Sequence, residues 1–241
     1  MTGAGIAREA ALRGLSFILL DKNDFAFGTS SRSSKLAHGG MRYLANKEFG
    51  IVRESTTERN WLRVHFPNLV RPLAFNFYSY EDYMYSPKKV KLGMQLYDFL
   101  SNTFSKFKNY QKYRILTAEE FQKLEPKIRK EKMVMGGYYY DTNVDDARLT
   151  LETIKESVFL AKGKSIALNY CKVIGFLQDD YGKLQGVEVE DTLSGGKFTL
   201  RGTQVVNATG IWNDDLLLLK GKNAMIRPTK GVHLILLNER L

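Results

Sequence analysis

The sequence predicts an α/β protein in which a second domain is inserted into, or interleaved with, the first. At the N-terminal end, small residues recur at helical spacing in "TGAGIAREAALRGL", and the short apolar stretch "SFILLDKND" follows directly. Small residues let a helix lie close to a sheet, and a continuously apolar strand is typical of a buried parallel strand. Helices and strands alternate at both ends of the chain but are mixed in the middle, which favours two interleaved domains.

The first half of the chain follows this pattern element by element. Gly14 is suited to end the opening helix, because glycine tolerates the left-handed conformation of a helix C-terminus. The strand that follows ends in an acid, Asp21. After it we predict a long polar loop at 24–45, a charged helix at 46–65, a strand at "PLAFNFYSY" and a basic amphipathic helix near 88–103.

The second half begins with a capping box, because Thr117 precedes a helical stretch and Glu120 follows three residues later. We then predict a strand at "VMGGYYYDTN", a helix at "DDARLTLETIKESVFLAKG" that ends at Gly163, and a hairpin of "KLQGVEVEDT" with "GKFTLRG". The last two predicted strands are "QVVNATG", which we expect to be buried, and "IRPTKGVHLILL", which the end of the sequence cuts short.

Composition limits the function classes. The one cysteine, Cys171, excludes an internal disulfide, and no apolar run is long enough to cross a bilayer or to form a signal peptide. A formal net charge of +10 favours nucleic acid, an anionic membrane surface or a phosphorylated substrate, although scattered solvated lysines explain it equally well. Zinc-finger spacing and RNA-binding aromatic signatures are missing, so we predict no metal site and no nucleic-acid partner.

The N-terminal segment carries half of a dinucleotide-binding fingerprint. That fold needs a strand, the pattern G-x-G-x-x-G, a helix, and a second strand that ends in an acid about twenty residues on. Gly3 fits only the last glycine, and Asp21 fits the acid, although a tightly packed helix in any α/β protein gives the same pattern. The strand and glycines expected before Thr2 are not in the sequence, so we expect it to be a segment of a longer protein.

The polar loop "GTSSRSSKLAHGGMRYL", residues 28–44, is dense in hydroxyl, basic and glycine residues. Hydroxyls and main-chain amides next to a nucleotide-binding acid can surround a pyrophosphate, and paired glycines let the main chain approach a flat ring. This density, and not any single serine, indicates a cofactor site.

At this point the residues resemble a known family. "TGAGIAREAALRGL", "LLDKNDFAFGTSSRSSKLAHGGMRYL", "DDARLTLE", "VVNATGIWND" and "RPTKGVHLIL", in this order, are similar to the FAD-dependent glycerol-3-phosphate dehydrogenases and their oxidase relatives. The resemblance implies an FAD-binding Rossmann-like domain interleaved with a mixed-sheet substrate domain, as in flavoproteins like glutathione reductase and D-amino-acid oxidase. The implied domains are 1–66 and 143–221 for FAD, 67–142 for the substrate or cap segment, and 222–241 for the start of a truncated substrate-domain strand.

The same resemblance implies a set of FAD-binding residues. Gly3 would abut the pyrophosphate, Asp21 would bind the adenosine ribose, and Val173 would offer main-chain groups to the adenine. His38 and the two glycines after it would lie near the isoalloxazine ring. The pyrophosphate and ribityl chain would be lined by Thr29, Ser30, Ser34, Lys35 and Leu36. The full implied set is Gly3, Asp21, Lys22, Thr29, Ser30, Ser34, Lys35, Leu36, Gly39, Gly40, Val173, Ala208, Thr209, Gly210 and Trp212.

For the substrate, the resemblance implies that Arg42, Tyr43 and Lys230 face the pocket. A dianionic phosphate requires cationic donors, and oxidation of a secondary alcohol requires a base for the hydroxyl proton. An imidazole suits that role, so His233 is the first candidate base and His38 the second, although a histidine beside a flavin can also serve only to orient its neighbours.

The implied reaction is oxidation of sn-glycerol 3-phosphate to dihydroxyacetone phosphate, with electrons passing to a membrane quinone. The alternatives are an oxidase that releases peroxide and a non-catalytic flavin-fold or lipid-binding fragment. Residues 86–114 combine basic and apolar side chains, which suits an anionic membrane surface but also an ordinary capping helix. We expect a peripheral protein on the cytoplasmic side of the membrane, or on the mitochondrial inner membrane in a eukaryote, and the resemblance also allows a homodimer.

Overall fold

The chain passes between two units of structure at Ser33/Ser34 and again at Asp145/Asp146. In the computed structural model, which describes residues 1–82, 85–103, 106–232 and 234, the first unit contains 1–33 and 146–232 and the second contains 34–145. The sequence placed these boundaries after residues 66 and 142. The difference at the first boundary arises because the helix of residues 49–65 packs onto the helix and sheet that follow it. The assignment of the units to cofactor and substrate stays a prediction.

The secondary structure follows most of the predicted order. The helices are α1 (Thr2–Leu12), α2 (Arg42–Ala45), α3 (Phe49–His65), α4 (Pro87–Thr103), α5 (Ala118–Leu124), α6 (Asp146–Leu160) and α7 (Asn213–Leu219). The strands are β1 (Ile18–Leu20), β2 (Val70–Tyr80), β3 (Arg114–Thr117), β4 (Met133–Val144), β5 (Ile166–Leu168), β6 (Cys171–Gln178), β7 (Leu184–Asp191) and β8 (Lys197–Arg201). Short 3-10 turns occur at Thr29–Ser31 and Gly210–Trp212. The first of these turns and helix α2 both lie within the predicted polar loop at 24–45, which is therefore less irregular than expected.

Helix α1 of the first unit packs on α6 and ends as predicted at Gly14. The φ of Gly14 is +73°, which lets the Leu15 N–H donate to the Ala10 carbonyl at 2.9 Å. This bond gives a partner to a carbonyl that has none within the helix. Arg8 Nε donates to Glu156 Oε2 of α6 at 2.5 Å. The residues that α1 buries are Ala4, Ala7 and Ala11.

Strand β1 pairs in parallel with β5, so the predicted parallel strand is confirmed. The predicted burial of β1 is incomplete, since Ile18 is 43% exposed and its partner in β5, Ile166, is 47% exposed. In the part of the chain that the structure describes, this sheet has only the two strands β1 and β5. Pairing between them leaves side chains such as Ile18 and Ile166 partly exposed. The hairpin of β7 and β8 is confirmed, and β6 completes an antiparallel sheet whose core includes the buried Cys171.

One predicted strand does not form, and another is irregular in the part that the structure describes. Residues 204–209 of "QVVNATG" are irregular, and Val206 is 57% exposed. A strand needs a hydrogen-bonded neighbour, and across the described ranges no ladder includes these residues. Residues 226–232 of "IRPTKGVHLILL" are also irregular, while His233 and 235–241 lie outside the described residues.

The second unit is built on an antiparallel sheet in the order β2-β4-β3. Helices α3 and α4 contact this sheet and each other, and the core between them includes Val52, Tyr97 and Leu100. Helix α5 starts at the predicted capping box, since the Glu120 N–H donates to Thr117 Oγ1 at 3.2 Å and the Thr117 N–H donates to Glu120 Oε2 at 2.8 Å. Of the helices in the described ranges, none combines the length and the apolar character that crossing a bilayer requires.

Candidate functional site

Four segments of the first unit that were predicted to bind a cofactor lie together, and we call them the α1 group: residues 1–5, 21–23, 28–31 and 208–212. A Cβ added at Gly3 would lie 3.4 Å from the Ala208 Cβ, and one added at Gly28 would lie 2.8 Å from the Trp212 ring. The Lys22 ammonium lies 4.2 Å from the centroid of that ring. Residues that are far apart in the sequence therefore meet as the nucleotide fingerprint requires.

Asp21 follows β1 directly and is half-buried in this group. Its main-chain N–H donates to the Leu168 carbonyl at 3.0 Å, and its carboxylate accepts the Asn23 N–H at 3.0 Å. Burial raises the pKa of the Asp21 carboxyl above its ordinary value. Within the described ranges, no side chain donates a hydrogen bond to this carboxylate, so it keeps capacity for hydroxyl donors from a ligand.

The N-terminus of α1 suits an anion. No acidic residue lies in its first turn. The main-chain N–H groups at a helix N-terminus and the helix dipole both favour negative charge there. A helix N-terminus for a pyrophosphate and a carboxylate for a ribose are the two features that a dinucleotide cofactor needs, so the residues of the α1 group fit such a cofactor.

In the second unit, the loop of residues 35–40 runs along the C-terminal end of β4. The Lys35 carbonyl accepts the Val144 N–H at 2.8 Å and the Asn143 Nδ2 at 3.0 Å. The Ala37 N–H donates to the Thr142 carbonyl at 3.1 Å, and Thr142 Oγ1 donates back to the Ala37 carbonyl at 2.6 Å. These bonds hold the loop like an extra strand.

The two glycines of "HGGMRYL" are buried and are explained by packing inside this unit. A Cβ at Gly39 would overlap the Tyr97 hydroxyl, while a Cβ at Gly40 would overlap the Tyr43 ring. Gly40 also has a φ of +71°, a conformation that disfavours other residues. The chain itself therefore requires both glycines, and their contact with a flavin stays a prediction.

A buried polar network lies behind the loop, and sequence reasoning missed it. Arg59 and Asp141 form an ion pair whose side chains are 2% and 3% exposed. The Tyr97 hydroxyl donates to Asp141 Oδ1 at 3.0 Å, and the Gly39 N–H donates to the same oxygen at 3.0 Å. The signal in the sequence was one acid at the end of the aromatic strand "GGYYYD", but nothing local pointed to its partners.

Two phenols near this network are held in the neutral form. Burial raises the pKa of Tyr97 well above its ordinary value, and burial raises that of Tyr139 to about 12. The Tyr139 ring stacks on Phe75 with the centroids 5.4 Å apart. The charges of Arg59 and Arg42 act in the opposite direction and lower the Tyr139 pKa.

Residues 1–240 match the family model described as "DAO: FAD dependent oxidoreductase". The chain belongs to this family of FAD-dependent oxidoreductases. Its cofactor is FAD, in agreement with the prediction and with the fit of the α1 group.

Named relatives of this oxidoreductase confirm the resemblance seen in the sequence. The chain is 40% identical to the "Alpha-glycerophosphate oxidase" of Enterococcus casseliflavus over 247 residues, which cover 100% of this chain and 39% of that protein. It is 35% identical to the "Aerobic glycerol-3-phosphate dehydrogenase" of Staphylococcus haemolyticus, over 98% of this chain and 42% of that protein. The chain thus spans roughly two fifths of the length of these curated relatives.

A solved structure shows the same fold. The glycerol-3-phosphate dehydrogenase from Bacillus halodurans, solved as a complex with FAD, superimposes with a TM-score of 0.64 at 32% identity. The match covers 90% of this chain and 34% of the other. The predicted α/β flavoprotein fold is therefore confirmed.

The predicted site residues of this oxidoreductase fall into three sets. Those within 1–33 and 146–221 belong to the α1 group, except Val173, which lies in β6 and packs on the same core cluster as Leu20 of β1. Those in the second unit lie on the loop of residues 35–40 or just beside it, and His38 there is exposed. Lys230 is exposed in an irregular segment, and His233 lies outside the described residues. The individual roles of these residues stay predictions.

Proposed function

We propose that this chain is part of a flavoenzyme that oxidises sn-glycerol 3-phosphate to dihydroxyacetone phosphate. The observation that carries the proposal is the meeting of Gly3, Asp21 and the residues 208–212 in one group that fits a dinucleotide. The names of the relatives support the substrate, since both an oxidase and a dehydrogenase of glycerol phosphate are among them. FAD, when bound, supplies the acceptor for the hydride from C2 of the alcohol.

For the cofactor, we propose that the N-terminus of α1 faces the pyrophosphate and that Asp21 accepts hydroxyls of the adenosine ribose. Both roles follow from charge: the helix terminus is electropositive, and the carboxylate has free acceptor sites. Thr29, Ser30 and the loop residues Ser34, Lys35 and Leu36 are proposed for the pyrophosphate and ribityl chain. Ala208, Thr209 and Gly210 are proposed as a later main-chain contact, with Lys22 and Trp212 at the edge of the same group.

For the substrate, we propose that Arg42, Tyr43 and Lys230 bind the phosphate and the glycerol hydroxyls. Arg42 and Lys230 are exposed cations, and Tyr43 is 37% exposed on α2 beside Arg42. His233 and His38 are the candidates for the base that takes the hydroxyl proton. An arginine offers two parallel donors to a phosphate, so Arg42 is the residue we expect to contribute most to substrate affinity.

For the electron acceptor, we propose a membrane quinone, with oxygen as the alternative that an oxidase among the relatives favours. Support for a peripheral membrane location comes from α4. Leu92 and Phe99 of this helix are 64% and 55% exposed, and Lys88 and Lys91 are exposed near its start. An exposed basic and apolar helix surface is suited to an anionic bilayer.

The full-length enzyme, which carries this chain, tests the proposal directly. We expect a yellow, FAD-containing protein that reduces a quinone analogue when sn-glycerol 3-phosphate is added, whereas peroxide release under air would indicate the oxidase. Arg42→Ala should raise KM at least about 10-fold while FAD stays bound. Arg53→Ala, on the exposed side of α3, is the matched control and should keep the wild-type KM. A colourless protein without flavin absorbance would leave the non-catalytic alternative.

A further inference from the structure

The Gly39 main chain is tied to a charged group that is buried in the second unit. Asp141 Oδ1 accepts hydrogen bonds from the Gly39 N–H and the Tyr97 hydroxyl, each at 3.0 Å, and also from Arg59 Nη1. We call Asp141, Arg59 and Tyr97 the Asp141 network. All three side chains are at most 3% exposed.

The network has one favourable arrangement, because a buried charge must keep both its counter-charge and its hydrogen bonds. Arg59 is fixed from the opposite side, where Nη2 donates to Ser101 Oγ at 2.7 Å and to Asn60 Oδ1 at 3.1 Å. Rotation of the guanidinium away from Asp141 would break these bonds as well. The Asp141 side chain is therefore held by groups of α3 and α4 as well as by the loop, on a main chain that belongs to the sheet.

Hydrogen bonds to β4 hold the main chain of the loop on both sides of His38. Ala37 exchanges two hydrogen bonds with Thr142, and Gly39 is held by Asp141. The imidazole of His38, between these two fixed points, is exposed. The chain thus presents this side chain to the surroundings from a main chain that is fixed at the residues before and after it.

We propose that Asp141 is a positioning residue, which fixes the main chain at His38 through Gly39 and so sets the placement of the imidazole beside the flavin. Arg59 balances the charge of Asp141, and the Tyr97 hydroxyl supplies a second donor and occupies the space of a Gly39 side chain. The effect on turnover rests on the proposed function, while the effect on the loop does not.

The experiment uses the full-length FAD-bound enzyme with three variants. Asp141→Asn removes the charge, and Ser101→Ala removes one acceptor of Arg59 Nη2. Tyr97→Phe removes the hydroxyl that donates to Asp141 and accepts from Arg59 Nη1 at 3.0 Å. The readouts are amide hydrogen exchange of residues 35–44, the visible flavin spectrum, and kcat and KM with sn-glycerol 3-phosphate. Exchange reports loop opening, and the flavin spectrum reports its surroundings, independently of activity.

We expect Asp141→Asn to speed exchange of the loop about 10-fold. It should also lower kcat about 10-fold, shift the flavin spectrum and leave KM within about twofold, because misplacement of a reacting group costs rate more than binding. Tyr97→Phe should act in the same direction with a smaller effect. Ser101→Ala should lower thermal stability but leave loop exchange, the spectrum and kcat at wild-type values, because Asn60 Oδ1 still accepts from Arg59 Nη2.

The proposal is overturned if Asp141→Asn and Tyr97→Phe match wild type in loop exchange and flavin spectrum. The network would then only join α3 to the sheet. If Asp141→Asn does not fold, Tyr97→Phe decides, since it keeps the ring and its packing. If wild type does not oxidise sn-glycerol 3-phosphate, the proposed function fails, whereas exchange and spectrum still test the positioning role.

Discussion

Two carboxylates near strand ends, those of Asp21 and Asp141, differ in how many hydrogen bonds they accept from the rest of the protein. Asp21 follows β1 and accepts one hydrogen bond from a neighbouring main-chain N–H, while burial raises its pKa. Asp141 lies near the end of β4 and accepts donors from the loop, from Tyr97 and from Arg59. A half-buried acid with one protein donor is suited to a ligand, whereas a buried acid that already accepts from three protein donors is suited to hold the structure around it.

The largest expected effect tests the structural half of this comparison. Asp141→Ala leaves the buried Arg59 without a counter-charge and should reduce the free energy of unfolding by about 3–5 kcal/mol. Asp21→Ala should reduce it by less than about 1 kcal/mol, since only one main-chain bond is lost. Urea unfolding of both variants measures the difference, and equal losses would contradict it. Adding Arg59→Met to Asp141→Ala should recover part of the loss, because both charges are then removed.

The next effect concerns the space around Gly39. Gly39→Ala should cost about 1–3 kcal/mol of stability, since the new methyl group overlaps Tyr97 and the Thr56 methyl. Thr56→Ser removes that methyl and should relieve the cost, with a coupling of at least about 0.5 kcal/mol in a double-mutant cycle. Gly50→Ala is the control: it lies in α3 with nothing within 4 Å of a Cβ, and should be neutral or stabilising. A Gly39→Ala protein as stable as wild type would mean that the packing is looser than described.

A smaller effect tests the ligand half of the comparison. Asp21→Asn keeps the shape of the side chain but removes its charge, and should weaken FAD binding about 10-fold, or about 1.4 kcal/mol. Asp24→Asn changes an exposed carboxylate three residues away and should leave FAD affinity within about twofold. Titration of the full-length apoenzyme with FAD gives both dissociation constants. Identical affinities for the two variants would remove Asp21 from the cofactor site.

The smallest effect is on pH dependence. Burial raises the folded pKa of Asp21 above the ordinary value of 3.8, so the folded state binds this proton more tightly than the unfolded state. The stability that this group contributes is therefore present below pH 3.8 and is lost as pH rises through the raised pKa. Subtracting the Asp21→Asn unfolding curve from that of wild type isolates this term. A difference that grows with pH in that window would contradict the assigned direction.

Sequence alone was sufficient where the signal is local. The small residues of α1, Gly14 at its end, and the Thr117 and Glu120 capping box are patterns within a few residues, and all were confirmed. Within the α1 group, the fingerprint spacing pointed to Gly3 and Asp21, whereas residues 28–31 and 208–212 were predicted from the family resemblance. Local patterns were therefore confirmed in both units, with α1 in the first and the capping box in the second.

The rest depends on contacts that no local pattern records. Arg59 is separated from Tyr97 by 38 residues and from Asp141 by 82, and by itself it fits a solvated helix charge. The glycines of "HGG" were interpreted as space for a flavin, which stays a prediction. The sequence did not show that Tyr97 and Tyr43 lie where a Cβ of Gly39 or Gly40 would be. The apolar stretch at 204–210 fits a strand by composition, but only a neighbouring strand makes it one.

The pairing of β1 with β5 has a consequence for how the chain acquires its structure during synthesis. Ile18 pairs with Ile166, and Phe17 donates to Ser165 across 148 residues, so the first unit needs both ends of a long stretch of sequence. The intervening 34–145 form a continuous unit with its own sheet and core. Contacts of such long range form late. On the ribosome, we therefore expect residues 34–145 to fold first. Helix α1 and strand β1 should reach their final structure only after α6 and β5 have been synthesised.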